Sequence, residues 1–413
     1  MKCRHCGAEC RLPFLDLGSA PPSNAYLDAA ALQAPETWYP LRVLVCTECW
    51  LVQTEDHAGR EELFSKDYAY FSSMSSSWLA HARGYVDQMV ARFGLGAGSR
   101  VVEVAANDGY LLQFVRQAGI PCLGVEPTAS TARAARDKGI EIVEEFFGVE
   151  LAGALAARGW TADLMAANNV LAHVPDINDF VAGFARLLAP HGVATFEFPW
   201  LLTQMREAQF DTVYHEHYSY LSLTAVERIF ARNGLAVFDV QELPTHGGSL
   251  RVFAQRADTG PHPRTAAMAT TLEAEVAGGL RNPVRYAAFQ AEAERVKNDL
   301  VSFLIDARRQ GLKVGAYGAA AKGNTLLNFA GVRPDLLPYV VDKSPGKQGK
   351  FMPGSRIPIV EEAHLQADRP DLVVILPWNL RAEIAEQLAY VGGWGGRFVT
   401  AVPRLTVTAA GAP

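Results

Sequence analysis

The sequence predicts an α/β chain in three parts: a small cysteine-rich module, a central parallel sheet wound with helices, and a second, smaller Rossmann-like α/β domain. Three observations carry this. Two C-x-x-C pairs, Cys3/Cys6 and Cys46/Cys49, sit in a loop-rich stretch with turn signals at Pro13, Gly18, Pro21 and Pro22. From about residue 75, short apolar strands alternate with helical runs. The same alternation resumes after a long Ala/Glu/Arg-rich stretch.

In chain order, LRVLVC is the one strand expected before the second cysteine pair. SSSWLAHARGYVDQMVARFG reads as a helix with serine as its start signal. SRVVEVAANDG, PCLGVEPT, IEIVEEFFG, ADLMAANNV and GVATFEFP then read as parallel strands, and AVFDVQELP with SLRVFAQRA as an antiparallel hairpin joined through THGG. Residues 265 to about 310 are expected to be mostly helical. LKVGAYGAAAKGN, LPYVVDKSP, DLVVILPWN and GRFVTAV supply the second α/β unit. The expected division is 1–70, 71–255 and 256–413.

The formal charge of −6 argues against a general nucleic-acid binder, since phosphate backbones are held by clustered Lys and Arg. MKCRHCG has no apolar leader, and no run is long enough to span a bilayer, so a cytoplasmic chain without membrane contact is expected. Four of the six cysteines form the two pairs, and in a reducing compartment that points to metal. Four thiolates close a tetrahedral shell around Zn²⁺ and leave no position open for catalysis, so Cys3, Cys6, Cys46 and Cys49 are read as a structural zinc site. Cys122, in IPCLGVE, is expected to be a small core residue.

VVEVAANDGYLL follows the first central strand with an acid, a small-residue turn and a helix. Its Glu103 and Asp108 repel a pyrophosphate, whereas Ala105, Asn107 and the carboxylates suit a cation or an amino-acid ammonium. Glu126 ends the next strand, where a carboxylate can bond both hydroxyls of a ribose; Phe146 and Phe147 can flank an adenine, and Asn168 and Asn169 end the fourth strand. Singly each is weak. In this order they resemble the class I methyltransferases, apart from Ala105 in place of that class's first glycine, and the resemblance implies S-adenosylmethionine as cofactor.

The densest chemistry is FDTVYHEHYSYLSL, with Tyr214, His215, Glu216, His217, Tyr218 and Tyr220. An imidazole is the group best suited to take a proton near neutral pH, and a neighbouring Glu can orient it. The other reading is an exposed polar turn. His173 follows the fourth strand and is either part of the site or a packing residue. Tyr68, Tyr70 and the serines of DYAYFSSMSSSW either cover the site or pack.

The cysteine pairs, LGSAPPSNAYL, YAYFSSMSSSW, VVEVAANDGYLL, YHEHYSYLS, LPTHGGSLR, GAYGAAAKGN and VVDKSPGKQGKFMPG together resemble the sugar C-methyltransferases that build branched deoxysugars, from residue 3 to about 380. The resemblance implies methyl transfer to carbon beside the ketone of a dTDP-4-keto-6-deoxysugar, usually at C3 and in a subset at C5. It implies His217 as base with Glu216 beside it, Tyr214 and Tyr68 on the sugar, His173 nearby, and Tyr70 and His246 as substrate contacts.

In the C-terminal unit, Gly318 and Lys322 open a helix after a strand, Asp342 ends the next strand, and Trp378 and Asn379 end the third. These are expected to grip the nucleotide of the sugar, its phosphates on the turn at residues 318–322. The expected partner is a small-molecule nucleotide sugar, and the chain is expected to act as a monomer. Rival readings are an NAD-dependent oxidoreductase, a non-enzymatic zinc-ribbon module, and an O- or N-methyltransferase on the same sugars.

Overall fold

The computed structural model describes residues 1–57 and 71–410 of the 413-residue chain, and they form three sheets. In the first, β1 (Leu12–Ala20), β2 (Tyr39–Val45) and β3 (Val52–Thr54) run antiparallel in that order. β1 corrects the expectation of a single strand here. Its Pro13 and Gly18 carry turn chemistry, but β1 is an edge strand, where a proline is tolerated and a left-handed glycine (φ 74°) serves the register shift between Asp16 and Ser19. Phe14 of β1 stacks on Phe289 at 4.6 Å and meets Tyr286 edge-on at 5.8 Å, so the module completes its core on the linker helices.

The second sheet begins with β4 (Val101–Val104), β5 (Cys122–Val125), β6 (Glu141–Val143), β7 (Ala162–Asn168) and β8 (Leu188–Pro199), all parallel. β4 is buried at every position, as a central strand covered on both faces must be. Cys122, at the start of β5, is only half-buried beside the core. The chain then leaves this sheet to make β9 (Ser219–Tyr220), which pairs antiparallel with β3 and completes the first sheet. β10 (Leu235–Leu243) and β11 (Ser249–Arg256) form the expected hairpin, giving the order β10-β11-β8-β7-β4-β5-β6. Strand order reverses between β4 and β7, so the carboxyl ends of these two strands open the crevice in which such sheets bind ligands.

Helix Ser76–Phe93 lies against this crevice. It starts where Ser75 accepts from the Trp78 N–H at 3.2 Å and stops at the left-handed Gly94. Helices Ala266–Ala277, Pro283–Ala287 and Phe289–Arg309 form the linker. The third sheet comprises β12 (Val314–Tyr317), β13 (Val340–Val341), β14 (Ile359–Val360), β15 (Leu372–Ile375), β16 (Arg397–Thr400) and β17 (Thr406–Ala409), in the order β14-β13-β12-β15-β16-β17. All pair in parallel except β17; β14 and β17 are not among the strands expected from the sequence. One apolar cluster runs from Cys3 to Val402 through all three sheets and the linker. Among the described residues no helix is long and apolar enough to cross a membrane.

Candidate active site

Each C-x-x-C is closed by a left-handed residue, Gly7 (φ 78°) and Trp50 (φ 64°), whose N–H groups return to the Cys3 and Cys46 carbonyls at 3.0 and 2.8 Å. The four sulfurs lie within 4.8 Å of one another, with Cys3–Cys49 and Cys6–Cys46 at 3.5 Å. A tetrahedron with Zn–S bonds of about 2.3 Å has edges of about 3.8 Å, so these ligands fit zinc. Gln53 Nε2–H donates to the Cys3 sulfur at 3.3 Å, an outer contact of the kind that orients a thiolate ligand.

The loop after β4 takes positive φ at Ala105 (58°), Asn107 (48°) and Gly109 (75°), which folds the backbone around the crevice. Glu126, at the end of β5, fixes that loop: its two oxygens accept from the Asn107 and Thr128 N–H groups, both at 2.9 Å. Each oxygen keeps a second lone pair. Asp108 Oδ1 is buried without a hydrogen-bond partner, and the buried Glu103 carboxyl and Asn168 Oδ1 have little beyond the Tyr110 phenol close by. Burial pushes the Glu103 carboxyl well up, and the charges of Asp108 and Glu126 add to the rise. A positively charged donor beside Glu103 would bring its carboxyl back down, so these under-partnered buried acids suit a ligand rich in donors and positive charge. S-adenosylmethionine carries an ammonium, a sulfonium and two ribose hydroxyls, so these residues fit it.

Phe147 turns inward against Phe180 and Phe184, whereas Phe146 is exposed. Ser72 and Ser73 donate their N–H groups to Asn107 Oδ1 (2.9 Å) and Asp108 Oδ2 (3.3 Å), and Lys138 ties Ser73 Oγ to the Asp108 carbonyl, so this part of the serine cluster covers the cofactor loop. Tyr68 and Tyr70 lie outside the described residues. Trp78, which closes the YAYFSSMSSSW motif but has no expected role there, packs on Tyr110 (5.7 Å) and His246 (5.0 Å) at the mouth of the same crevice.

His217 is buried, and its Nδ1 lies 2.8 Å from the Thr212 carbonyl. A carbonyl can only accept, so Nδ1 carries the proton and Nε2 is the acceptor of the neutral ring. Burial holds the imidazole well below its usual range, with the nearby His173 adding to the effect. The expectation that Glu216 orients the base is corrected here. Neighbours in an irregular turn point apart: a Glu216 oxygen accepts from Asn24 Nδ2 at 2.6 Å, and Thr212 orients the imidazole instead. His215 points elsewhere again, donating to the Pro40 carbonyl at 3.2 Å.

Tyr214 lies over the His217 ring at 4.0 Å, and the His173 ring meets it edge-on at 4.6 Å. His173 Nδ1–H donates to the Glu216 carbonyl at 2.9 Å, and burial lowers this imidazole to about 4. Thr212 and Asn24 lie within the motifs FDTVYHEHYSYLSL and LGSAPPSNAYL, but the sequence reading assigns neither a role. A buried cluster at the end of β8, where Glu197 accepts from His81 (2.9 Å), Arg251 (2.8 Å) and Thr245 (2.8 Å), likewise has no expected role, although Thr245 and Arg251 belong to LPTHGGSLR.

Three C-terminal residues face this same crevice. The Lys322 ammonium donates to the His246 carbonyl (3.3 Å) and Asn379 Oδ1 (3.1 Å) and lies 4.7 Å above the Trp378 ring. Trp378 Nε1–H donates to Asp211 Oδ2 at 2.7 Å, six residues before the base. His246 is held at φ 56° with its Nδ1 buried and unpartnered. Asp342 is turned inward on its own unit: it accepts from the Ala319 and Ser344 N–H groups at 2.9 and 2.8 Å and pairs with Lys347. It thereby fills one amide of the turn that Gly318 (φ 91°) opens.

Comparisons with known proteins cover nearly the whole chain. Residues 3–64 match the family described as a zinc binding domain, residues 78–240 a methyltransferase domain, and residues 244–403 the C-methyltransferase C-terminal domain. The C-methyltransferase NovU of Streptomyces niveus is 35% identical over 409 residues, 99% of this chain and 97% of the relative. Magnesium protoporphyrin IX methyltransferase (ChlM) from Synechocystis PCC 6803, solved with bound SAH, overlays 43% of this chain and 83% of its own, at 17% identity and a TM-score of 0.35. An S-adenosylmethionine-dependent methyltransferase from Clostridium acetobutylicum ATCC 824 overlays 44% and 92%, at 10% identity and a TM-score of 0.36.

Proposed function

The chain belongs to the S-adenosylmethionine-dependent C-methyltransferases, and on that basis we propose that it methylates a dTDP-4-keto-6-deoxysugar at C3, in the assembly of a branched deoxysugar. Membership replaces the hydride-transfer and O- or N-methyl-transfer readings. The observation that supports a carbon acceptor best is the buried His217, its Nδ1–H given to the Thr212 carbonyl and its Nε2 left as proton acceptor, beside the end of the cofactor sheet.

The cofactor, when bound, supplies an electrophilic methyl group on sulfur. Glu126 would hold its ribose, Glu103, Ala105, Asn107, Asp108 and Asn168 would line the part of the crevice that takes its charged end, and Phe146 would face the adenine. A carbon next to a ketone becomes nucleophilic only when its proton leaves, so His217 Nε2 takes the C3 proton and the electron pair moves into the enolate. The enolate oxygen needs a donor. His173 is unsuited to donate, because its Nδ1–H is already given to the Glu216 carbonyl, its Nε2 accepts, and a value near 4 keeps the ring neutral. Tyr214 is the better donor, Tyr68 is assigned a second contact to the sugar, and His173 accepts from a sugar hydroxyl. Glu216 acts on the site through Asn24. The nucleotide lies toward Gly318, Trp378 and Asn379, with Lys322 supplying positive charge for the diphosphate and His246 on the sugar side; Tyr70 is assigned a further sugar contact, and Asp342 acts on the nucleotide only through the turn it holds.

Incubating a panel of dTDP-4-keto-deoxysugars with S-adenosylmethionine, and analysing products by mass spectrometry and NMR, tests this reading. The expected product carries one methyl group on C3. Methylation of none of the panel removes the substrate class. His217→Asn is expected to lower turnover by roughly 10²–10⁴-fold and to stop deuterium exchange at the sugar carbon, with cofactor affinity kept within about twofold; full activity in that variant removes His217 as base.

A further inference from the structure

The segment carrying His217 is irregular: its strand residues, β9, pair with the zinc module, while the methyltransferase unit holds its flanks, through the Tyr218 N–H on the Ala172 carbonyl (2.8 Å) and a bridge from Leu221 to Trp200. Val52 lies opposite Tyr220 and Gln53 opposite Ser219. One residue further, Thr54 Oγ1–H donates to the His217 carbonyl and the Thr54 N–H to the Tyr218 carbonyl at 3.1 Å. Thr54 is buried, so these bonds form away from competing water.

Arg4, between the first two zinc ligands, reaches the same place. Its guanidinium lies 5.0 Å above the Tyr218 ring, donates to the Tyr218 carbonyl at 3.4 Å and to the Thr54 carbonyl at 2.7 Å, and is held by Asp56. Behind both residues stands Gln53. Its Oε1 accepts from the Arg4 N–H at 2.9 Å, and its Nε2–H donates to the Cys3 sulfur. The knuckle is in turn pinned to the methyltransferase domain by Asn178, whose Nδ2 donates to the Arg4 and His5 carbonyls at 3.2 and 2.9 Å and whose Oδ1 lies 2.9 Å from His5 Nδ1.

A continuous set of hydrogen bonds therefore runs from a zinc-ligating sulfur through Gln53 to Arg4, and through Thr54 to the backbone of the base. We propose that the zinc module positions the general base: Thr54 and Arg4 fix the His217–Tyr218 backbone, and the metal holds Thr54 and Arg4 in register. Both are positioning residues, since neither touches the reacting atoms. A displacement of the base by about 1 Å can cost on the order of a hundredfold in rate without affecting how the cofactor is held.

The inference rests on His217 being the base, and the experiment separates the two. In the full-length, zinc-loaded enzyme, Thr54→Val removes the hydroxyl donor and keeps the strand pairing, Thr54→Ser restores the donor, and Arg4→Leu removes the second contact. For each, zinc content, S-adenosylmethionine affinity, kcat, KM and deuterium exchange into dTDP-4-keto-6-deoxyglucose without methyl donor are measured, with His217→Asn as reference. Thr54→Val and Arg4→Leu are expected to keep zinc and cofactor affinity, to keep KM, and to lose roughly tenfold to a hundredfold in exchange and kcat together; Thr54→Ser recovers both. Exchange and kcat at the parental level in Thr54→Val and Arg4→Leu overturn the positioning role while leaving the base in place. Exchange that survives His217→Asn overturns the base and the inference with it. If Thr54→Val does not fold, Arg4→Leu decides by the same readouts.

Discussion

Ala105 holds a φ of 58°, a conformation that costs a residue with a Cβ about 1–2 kcal/mol, and Asn107 does the same two residues later. The loop keeps that cost because its turn must pass beside Glu103 and Glu126 to leave their acceptors facing the crevice. For single residues the sequence showed which types were present and left their partners open. Glu216 follows the expected pattern beside His217 yet serves Asn24, and Thr212, present in the same segment but with no expected role there, supplies the carbonyl that selects the tautomer. Lys322 offers a single-residue test. Burial pushes its ammonium down to about 8, partly offset by Asp211, so its charge is present below that pH and lost above it. If it holds the diphosphate, kcat/KM for the sugar nucleotide declines as pH rises through about 8. Lys322→Arg, which keeps its proton far above this range, is expected to carry that limb upward. An unmoved limb in a pH–rate profile would detach Lys322 from the substrate.

Helices and strands were legible wherever the period was long. The eighteen residues Ser76–Phe93 declare a helix by their serine cap and closing glycine, whereas β9, with two residues, declares nothing. Its pairing depends on β3, more than 160 residues earlier. Glu275 likewise joins elements that are distant in the chain. From linker helix Ala266–Ala277 its carboxylate accepts from Trp200 Nε1 (2.7 Å), the Leu223 and Thr224 N–H groups (2.6 and 2.8 Å) and Thr224 Oγ1 (2.7 Å). These cap helix Leu223–Arg232, which follows the catalytic segment. Glu275→Gln faces an amide N–H toward donors and is expected to cost about 2–3 kcal/mol in chemical denaturation. A change below about 0.5 kcal/mol would show that the clamp does not hold the helix.

Across the molecule, the three sheets share one apolar cluster, and the site draws on all of them: the cofactor loop comes from the second, Lys322 and Trp378 from the third, and the segment of His217 is backed by Thr54 and Arg4 of the first. Metal binding is part of the folding free energy of so small a module. Chelation is therefore expected to remove hydrogen-exchange protection from β1 to β3 and also from β9, while β4 to β8 retain theirs. Protection of Ser219 and Tyr220 that outlasts the metal would mean that the central sheet alone holds the segment.

The alternation of strand and helix, the zinc-ligand spacing, the carboxylate loop after β4 and the antiparallel hairpin could all be read from the amino-acid order, because each is a repeat or motif contained within a few neighbouring residues. Which histidine nitrogen is left to accept a proton, where Glu216 points, and the attachment of the base to a strand of the zinc module's sheet emerged only from the folded chain. Those outcomes join groups far apart in the chain, Asn24 and Glu216 being 192 residues apart, and local backbone geometry does not specify contacts at that separation until all three sheets have closed on one core.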